Sequence, residues 1–343
     1  MYHKANGEAP ARNFVVNILS KLTANKLKSR TADCRDKLSH FCSATDLLMN
    51  SNLPAASLDA NGLALYILVF VIGACIGSFL NVVIYRVPAE KSLLTGSACP
   101  KCGKAIPFYY NVPVLGWVFL GGKCANCKEP ISWRYPAVEL LTALLFVCVF
   151  WQIGLTAYLP VALAFTATMI ALIFIDADNM ILPNVITYPL FVLAIIVRVT
   201  FPLLLGDSFF PDTKVSPISG VEFAGLSPWM VSLAGALFGA LVGGGSPWLI
   251  GVLWKVLRKV DAMGLGDVKL LLGIGALLGW RLTLLTIFLG AFSGALAGIG
   301  VLLKSKNKDL QTQIPFGIFL GIGAIVSLLF GEKLIGWYLG QFY

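Results

Sequence analysis

The sequence predicts an all-α polytopic membrane protein with about eight transmembrane helices and one large polar loop. Of its 343 residues, 57% are hydrophobic and 13% are charged, and the mean hydropathy is +0.81. A soluble globular domain carries roughly 25% charged residues. The apolar residues are also grouped into long runs that polar loops separate. Lipid is therefore expected to surround most of the chain.

Eight apolar segments account for the predicted helices. A transmembrane helix needs about 20 apolar residues to cross a hydrocarbon core of roughly 30 Å. The largest polar loop, 88–134, follows the first of these segments. In chain order the segments are 63–87, 135–157, 159–176, 183–205, 228–254, 264–280, 282–303 and 315–339.

The chain is expected to divide into three parts. Residues 1–61 form a polar arm of mixed charge, which is expected to be flexible and helical at most near 12–28. No ordinary secretory signal is expected in this arm, since it lacks an apolar run with a small-residue cleavage site. Residues 62–157 hold the first two spans with the insert at 88–134, and residues 158–343 hold the other six spans.

The basic residues predict the orientation of the chain in the membrane. Lys and Arg are retained in short loops on the cytoplasmic side. The loop at 88–134 and the turns at 255–263 and 304–314 are basic, and an eight-span topology puts all three on one side. The loops at 206–227 and around Arg281 fall on the other side and hold few positive charges. The net charge of +9 therefore indicates a lipid bilayer as partner and no nucleic acid.

Two aspartates stand at the ends of apolar segments. Asp176 ends a segment that arrives at the cytoplasmic face, and Asp267, in the motif Gly264-Leu265-Gly266-Asp267, begins one that leaves it. A carboxylate within hydrocarbon costs on the order of 3 kcal/mol on insertion scales. The helix dipole stabilises an acid at a helix start, which explains Asp267, but it opposes Asp176 at a helix end. The topology places both carboxylates at the same depth on the same side.

A pair of carboxylates at one depth indicates an intramembrane aspartyl protease. Two neighbouring carboxylates share a proton, so that one acts as a base towards water and the other as an acid towards the leaving amine. Gly264 and Gly266 lack a Cβ and let a substrate strand approach the acids. Lys269 is interpreted as an interfacial charge near Asp267, although a serine–lysine dyad that uses Lys269 stays open. Asp178 is interpreted as an auxiliary or solvated residue.

The histidines exclude two other classes of intramembrane protease. His3 and His40 are the histidines of the chain, and both lie in the polar arm. A rhomboid-type serine–histidine site and a zinc H-E-x-x-H site both need histidine within the membrane segments. Neither site is possible in this sequence.

The polar loop carries a predicted zinc site. Cys99 and Cys102 form one C-x-x-C pair, and Cys124 and Cys127 form a second pair in the same loop. This spacing is typical of a tetrahedral zinc ion held by four thiolates. Such a site is structural, because its closed shell leaves no position for water. Two disulfides are the alternative, and they conflict with the predicted cytoplasmic side.

Five ordered motifs over about residues 63–320 resemble those of the type IV prepilin peptidases. The resemblance implies a multi-pass enzyme of the bacterial inner membrane whose active site faces the cytoplasm. It implies Asp176 and Asp267 as the catalytic pair, supported by Gly264, Gly266, Lys269, Pro183 and Pro315. The motifs are Gly77-Ser78-Phe79-Leu80-Asn81-Val82-Val83-Ile84-Tyr85-Arg86, the paired C-x-x-C loop ending in Trp133-Arg134-Tyr135-Pro136, Asp176-Ala177-Asp178 with Leu182-Pro183, Gly264-Leu265-Gly266-Asp267-Val268-Lys269-Leu270, and Ile314-Pro315-Phe316-Gly317.

The same resemblance implies a substrate and a second reaction. The family cleaves the short basic leader of prepilins or pseudopilins after a glycine, and many members then methylate the new N-terminus from S-adenosylmethionine. If that activity is present, Asn81, Arg86 and Glu139 are the candidates for the methyl-donor pocket, since no glycine-rich strand–turn–helix for the adenosyl group occurs. Glu139 and Arg198 are also single charges inside predicted spans, which makes each a functional candidate.

Two departures and two alternatives accompany the resemblance. Asn184 stands where many members carry an aspartate, and the polar arm is longer than the family needs. A presenilin-like protease shares the G-x-G-D motif but lacks a four-cysteine loop. A non-enzymatic transporter or scaffold with a structural zinc insert would use the aspartates to carry protons or ions.

Overall fold

The structure is a computed structural model that describes residues 60–99, 101–205, 227–259, 264–304 and 315–341. Outside the cysteine loop, the described chain is built of helices, which confirms the all-α fold class. The helix expected in the polar arm lies outside the described residues.

The described residues form ten α-helices. A π-helical turn, Leu241–Gly245, joins the sixth and seventh of them into one apolar helix of 31 residues. In chain order the helices are α1 (Ala60–Arg86), α2 (Leu115–Phe119), α3 (Arg134–Ile153), α4 (Leu159–Asn179), α5 (Asn184–Leu205), α6 (Pro228–Ala240), α7 (Ser246–Arg258), α8 (Leu265–Leu278), α9 (Trp280–Lys304) and α10 (Phe316–Leu339).

Seven helices of the described chain are long and apolar enough to cross a bilayer, whereas the sequence predicted about eight. The difference is the segment expected at 264–280, which forms α8. Its 14 residues reach only about 21 Å at 1.5 Å per residue. Gly279 ends α8 with a φ of 80°, and α9 begins at the next residue. Because Gly279 lies against Gly239 within the α6–α7 helix, α8 ends inside the bundle.

Glycines fix α8 against the α6–α7 helix. A Cβ on Gly239 would overlap the Gly275 carbonyl oxygen, and a Cβ on Gly275 would overlap the Gly239 carbonyl oxygen. A Cβ on Gly243 would likewise overlap the carbonyl oxygen of Leu271. Small residues let membrane helices approach this closely, and van der Waals packing then holds them. The position of α8 is therefore set by backbone-to-backbone contact.

The C-terminal end of α8 meets a buried arginine. Arg198 on α5 is 1% exposed, and its Nε donates to the Ala276 carbonyl oxygen at 3.3 Å. The last carbonyls of a helix lack partners within it and carry the negative end of the helix dipole. Arg198 therefore supplies a donor and a positive charge where α8 ends among apolar side chains.

The centre of the bundle lies where α4, α8 and α10 pack together. Its fully buried side chains include Leu172 and Ile175 on α4, Leu270 and Ile274 on α8, and Leu320 on α10. Burying a leucine or isoleucine contributes roughly 1.5–3 kcal/mol in water, but in a bilayer close packing takes over that role. Two of these helices also carry the candidate catalytic residues, Asp176 on α4 and Asp267 on α8.

Contacts between helix ends place several of them on one face of the bundle. Arg134 at the start of α3 pairs with Asp178 at the end of α4. Lys269 near the start of α8 donates to Asn184 at the start of α5. The end of α4 also contacts the start of α10. The starts of α3, α5, α8 and α10 therefore share a face with the end of α4.

Candidate active site and metal centre

The cysteine loop consists of two knuckles of the same design. Isolated β-bridges close them, one at Ala98–Ala105 and one at Lys123–Pro130. In each knuckle the N–H of the first cysteine donates to the carbonyl five residues on, at 3.0 and 2.8 Å, and its carbonyl accepts from the N–H four residues on, at 2.9 and 3.0 Å. The residue at that fourth position has a positive φ in both, 68° at Gly103 and 60° at Lys128. The two knuckles are structural repeats.

The sulfur atoms of the knuckles fit a tetrahedral zinc ion. The Sγ atoms of Cys99, Cys102, Cys124 and Cys127 all lie within 4.8 Å of one another, and all four residues are free thiols. The Sγ atoms of Cys99 and Cys127 are 3.8 Å apart. Zinc–sulfur bonds of about 2.3 Å in tetrahedral geometry give a sulfur–sulfur distance of about 3.8 Å. The arrangement is therefore consistent with zinc and not with the alternative of two disulfides.

The electrostatics of the thiols also favour a cation. The backbone N–H groups of Cys127 and Asn126 lower the pKa of Cys124 to about 6. The Glu129 N–H acts in the same direction on Cys127, but lost hydration and the other three sulfurs outweigh it and raise the pKa of Cys127 to about 11. Thiols this close cannot all ionise unless a positive charge lies among them. A divalent metal ion would supply that charge.

The chain turns sharply after Asp176. Helix α4 ends at Asn179, and Met180 adopts a left-handed conformation with a φ of 52° while its N–H donates to the Asp176 carbonyl oxygen at 2.9 Å. Pro183 precedes α5, and its carbonyl accepts two N–H groups from the first turn of that helix. The residue before a proline is confined to extended conformations. Pro183 therefore keeps Leu182 out of both helices.

Asp176 caps a helix other than its own. Its carboxylate is 5% exposed and stands at the C-terminal end of α4, where the helix dipole is unfavourable. Its Oδ2 accepts a hydrogen bond of 3.1 Å from the Ile318 N–H in the first turn of α10. Pro315 is the N-cap residue of α10, so Ile318 is the third residue of that helix and its N–H has no partner within the helix. The positive end of α10 thus compensates for the negative end of α4.

Gly317 allows this close contact between α4 and α10. A Cβ on Gly317 would lie 2.8 Å from Asp176 Oδ2 and 3.3 Å from a methyl carbon of Leu182. Atoms essentially never approach a real Cβ closer than 3.0 Å. Any larger residue at Gly317 would therefore displace the carboxylate or the helix.

Asp267 lies in the first turn of its own helix. It is the third residue of α8, and its N–H donates to the Gly264 carbonyl oxygen at 3.2 Å. Gly264 is the N-cap residue and has an extended conformation. The carboxylate of Asp267 therefore lies at the positive end of the dipole of α8. Asp267 is half-buried.

Leu182 contacts the helix starts beside both aspartates. A Cβ on Gly266 would lie 3.1 Å from the Leu182 Cβ, and a Cβ on Gly317 would lie 3.3 Å from the Leu182 Cδ1. One leucine side chain therefore packs between the starts of α8 and α10. Asp267 lies in the first turn of α8, and Asp176 accepts a hydrogen bond from the first turn of α10. Leu182 therefore connects the two helix starts at which the carboxylates of Asp176 and Asp267 stand.

Lys269 links α8 to α5. Its Nζ donates to Asn184 Oδ1 at 2.9 Å and lies 5.2 Å from the centre of the Tyr188 ring. Asn184 therefore provides an oxygen acceptor for Lys269 at the start of α5. Because the Lys269 ammonium is held by α5, the contacts favour its interpretation as an interfacial charge over a serine–lysine dyad.

Glu139 and Asn81 form a polar cluster between α1 and α3. Glu139 is 8% exposed, and its Oε2 accepts a hydrogen bond of 2.7 Å from the Val114 N–H in the cysteine loop. The side chains of Ser78 and Asn81 also bond to Glu139. Asn81 Nδ2 donates to the Tyr135 carbonyl oxygen at 3.0 Å. The cluster therefore anchors the middle of the cysteine loop to the membrane helices.

Arg86 organises the other end of the loop. Its guanidinium donates to the carbonyl oxygens of Ser92 at 3.1 Å, Thr95 at 2.6 Å and Gly96 at 3.1 Å. These carbonyls precede the first knuckle. Arg86 thus lies apart from the hydrogen bonds of Glu139 and shapes the entry to the loop.

Similar proteins place the chain in a family. A prepilin leader peptidase/N-methyltransferase of Pseudomonas aeruginosa is 35% identical over 306 residues, which cover 82% of this chain and 96% of the relative. Its counterpart from Aeromonas hydrophila is 36% identical over 300 residues, 80% of this chain and 94% of the relative. One family model, described as the type IV leader peptidase family, matches residues 163–299. The chain belongs to the type IV leader peptidase family.

Further comparisons agree with this assignment. A second family model, the bacterial peptidase A24 N-terminal domain, matches residues 71–153. A prepilin leader peptidase/N-methyltransferase of Myxococcus xanthus is 37% identical over 248 residues, 72% of this chain and 66% of the relative. No solved structure gives a significant match.

Membership of the type IV leader peptidase family decides between the alternatives. The chain is a peptidase and a multi-pass protein of the bacterial inner membrane, rather than a transporter or scaffold. The four-cysteine loop, which a presenilin-like protease lacks, matches the N-terminal model of this family.

Sequence reasoning did not find every residue around the carboxylates of this leader peptidase. It quoted the motif around Gly317 but did not foresee that the next N–H would cap Asp176. It interpreted Asp178 as auxiliary or solvated and did not foresee that its carboxylate pairs with Arg134. A signal for that pair exists, because each charge stands at the unfavourable end of its helix.

Proposed function

We propose that this protein cleaves the basic leader of type IV prepilins or pseudopilins after a glycine, with water activated between Asp176 and Asp267. The observation that carries the proposal is the convergence of the end of α4 and the starts of α8 and α10 on these two carboxylates. The family supplies the reaction type, and the names of the curated relatives supply the substrate class.

The two carboxylates divide the acid and base work. One accepts a proton from the attacking water, while the other donates a proton to the scissile carbonyl oxygen and later to the leaving amine. The Ile318 N–H donates to Oδ2 of Asp176 and holds this carboxylate in place for the attacking water. Neither a covalent intermediate nor a metal is needed for this chemistry. Gly264 is exposed, so an extended substrate strand can pass beside Asp267 without meeting a side chain there.

The site is proposed to face the cytoplasm. The basic loop at 88–134 and the basic turn at 255–263 support this orientation, because the four membrane-crossing helices between them, α3, α4, α5 and α6–α7, return the chain to the same side. A leader with basic residues would then stay at the cytoplasmic surface, and the apolar helix that follows the cleavage site would enter the bilayer. The scissile bond would thus lie at the depth where the apolar segment of α4 ends.

We assign the second reaction, N-methylation of the new N-terminus, to residues 62–157, which carry Asn81, Arg86 and Glu139. A buried carboxylate fits a ligand that carries positive charge, and Glu139 lies where α1, α3 and the cysteine loop meet. S-adenosylmethionine, when bound, supplies the methyl group. Asn81 would orient Glu139, and Arg86 would fix the loop beside them.

The zinc site is proposed to be structural. Four thiolates complete the tetrahedral shell and leave no position for water. Zinc would hold the two knuckles together, as the 2.8 Å hydrogen bond from Lys104 Nζ to Asn126 Oδ1 also does. The knuckles in turn determine where the intervening segment reaches Glu139.

Mass spectrometry of a processed prepilin tests the proposal. The purified protein in proteoliposomes should remove the leader, and addition of S-adenosylmethionine should raise the mass of the mature product by one methyl group. Asp176→Asn and Asp267→Asn should each abolish cleavage at normal expression. Glu332→Gln, which changes an exposed carboxylate in the second half of α10, serves as the control and should remain active. An active Asp176→Asn/Asp267→Asn double variant would overturn the mechanism.

A further inference from the structure

An ion pair joins α3 to the last turn of α4. Arg134 Nη2 lies 2.6 Å from Asp178 Oδ2, and Nη1 donates to Asp178 Oδ1 at 2.8 Å. Two parallel short bonds make this a bidentate pair, which has a defined geometry as well as charge. Asp178 lies two residues after Asp176.

Each charge of this pair stands at the wrong end of its own helix. Arg134 is the first residue of α3, where the dipole favours an acid, and Asp178 is in the last turn of α4, where it favours a base. Helix α4 has no basic residue in its last turn. The dipole of its own helix disfavours each of these charges, but each is stabilised by the opposite charge of the other residue. Arg134 therefore supplies the C-terminal cation that α4 lacks.

The guanidinium also contacts the backbone of α4. Arg134 Nη2 lies 3.5 Å from the Phe174 carbonyl oxygen, and the guanidinium carbon lies 5.1 Å from the centre of the Phe174 ring. Phe174 and Asp178 stand on either side of Asp176 in the sequence. Arg134 thus holds the turn of α4 that carries Asp176, before and after that residue.

We propose that Arg134 is a positioning residue for the peptidase site, which acts through Asp178 to set the direction of the Asp176 carboxylate towards α10. The proposal rests on the proposed function, because it takes Asp176 as a catalytic acid. It also gives the N-terminal part matched at 71–153 a role in cleavage, since Arg134 belongs to that part and Asp178 to the part matched at 163–299.

Loss of the Arg134–Asp178 pair is expected to lower kcat and to leave substrate binding unchanged. The Arg134 and Asp178 side chains are 37% and 38% exposed, so their charge attraction contributes little to stability, but the bidentate pairing fixes the geometry of the last turn of α4. Misplacement of a catalytic group by 1 Å reduces turnover by about 100-fold. Loss of one partner leaves the Ile318 hydrogen bond to hold Asp176. We therefore expect kcat to fall by about tenfold, between these limits, while KM changes little.

The test compares kcat and KM for leader cleavage among four variants in proteoliposomes. Arg134→Lys keeps the charge but loses the bidentate fork, and Asp178→Asn keeps the shape but loses the charge. The exchange Arg134→Asp/Asp178→Arg restores opposite charges in the reverse order and places each at the favourable end of its helix. The matched control is Lys333→Met, which removes a 2.8 Å hydrogen bond between α10 and Gln152 at the other end of α3.

The proposal predicts that both single variants lose about tenfold in kcat, that the exchange recovers most of the loss, and that Lys333→Met behaves as the wild type. Single variants with a kcat within twofold of the wild-type value would overturn it. It would also be overturned if the kcat of the Arg134→Asp/Asp178→Arg variant were reduced by as much as the two single losses combined. Asp176→Asn in the same assay separates the two proposals. If Asp176→Asn still cleaves, the proposed function fails; if it is inactive while the Arg134 and Asp178 variants are normal, the positioning role alone fails.

Discussion

The cysteine knuckles and the aspartate pair are assembled from very different lengths of chain. Cys99 to Cys127 come from one loop, and each knuckle is closed by hydrogen bonds between residues four or five apart. Asp176 and Asp267 come from helices that are distant in the sequence, and no regular spacing connects them. The first site is specified by local turns, and the second by how closely three helices can pack.

This difference shows what each site depends on. The metal site needs thiols at the right spacing and residues that tolerate a positive φ, such as Gly103 and Lys128. The aspartate site needs glycine at two positions, because only Gly266 and Gly317 leave the space that Leu182 and Asp176 occupy. Small changes in helix packing should therefore harm the aspartates and spare the zinc, whereas loss of a ligand should do the reverse.

Gly317→Ala should have the largest effect on the aspartate site. The new Cβ would lie 2.8 Å from Asp176 Oδ2, so the carboxylate must move. We expect leader cleavage to fall by about 100-fold, since a misplaced catalytic group costs that much. The rate of leader removal, followed by gel shift or mass spectrometry, measures the change.

Gly336→Ala provides the control on the same helix. No atom lies within 4 Å of a Cβ at that position, so cleavage should stay at the wild-type rate. Equal rates for the Gly317→Ala variant and the wild type would show that the packing of α10 does not set the direction of Asp176.

Gly239→Ala should displace α8 as a whole. Its Cβ would overlap the Gly275 carbonyl oxygen, and overpacking of this kind costs about 2 kcal/mol. We expect a lower melting temperature in detergent and reduced cleavage, because Asp267 moves with α8. Zinc content should not change.

Gly235→Ala lies one helical turn away and has open space around its Cβ. It should therefore melt and cleave as the wild type does. If Gly239→Ala also melts normally, the close approach of α6 and α8 is not needed for stability.

Cys124→Ser should affect the metal site and spare the aspartate site. Removal of one thiolate opens the tetrahedral shell, so the bound zinc per chain should fall from one towards none, as measured by elemental analysis. Because no knuckle residue touches Asp176 or Asp267 in the described contacts, cleavage should persist close to the wild-type rate, while methylation is lost because the loop no longer reaches Glu139 correctly. Loss of cleavage as complete as in Asp176→Asn would contradict the separate construction of the two sites.

Asn184→Asp should have the smallest effect. The new carboxylate keeps the oxygen that Lys269 donates to and converts a 2.9 Å hydrogen bond into an ion pair near the interface. A partly exposed pair of this kind contributes about 0–1 kcal/mol. We therefore expect cleavage within a few-fold of the wild-type rate, and a large change in either direction would assign Asn184 a direct role.

The sequence predicted the parts of this molecule that follow local rules. Runs of apolar residues indicated the helices, and the C-x-x-C spacing indicated the metal site, because both signals are short-range. The bounds of α8, Leu265–Leu278, agree with the predicted segment 264–280 to within two residues, because Arg281 interrupts the apolar run just beyond it. That α8 is too short to cross the bilayer and ends inside the bundle was not predicted, since its close contact with the α6–α7 helix has no signal in the sequence.

The partners of Asp176 were also beyond local reasoning. The dipole argument showed that Asp176 has no support from its own helix, but it did not show where the support comes from. Ile318 and Arg134 provide it from α10 and α3 through contacts that have no fixed sequence spacing. A charge at the wrong end of a helix is therefore the useful signal, because it predicts a partner without naming it.

Cross-linking of the two acid positions tests most directly whether α4 and α8 form one site. An Asp176→Cys/Asp267→Cys variant treated with a short bifunctional thiol reagent should yield a linked pair of peptides that contain positions 176 and 267. Mass spectrometry identifies this pair separately from any products of the native cysteines. Arg134→Cys/Asp178→Cys is the positive control, and Asp176→Cys/Glu332→Cys is the negative control. A linked peptide from the aspartate pair is the predicted result. Its absence under conditions that link the positive control would contradict a shared site and, with it, an aspartyl protease mechanism.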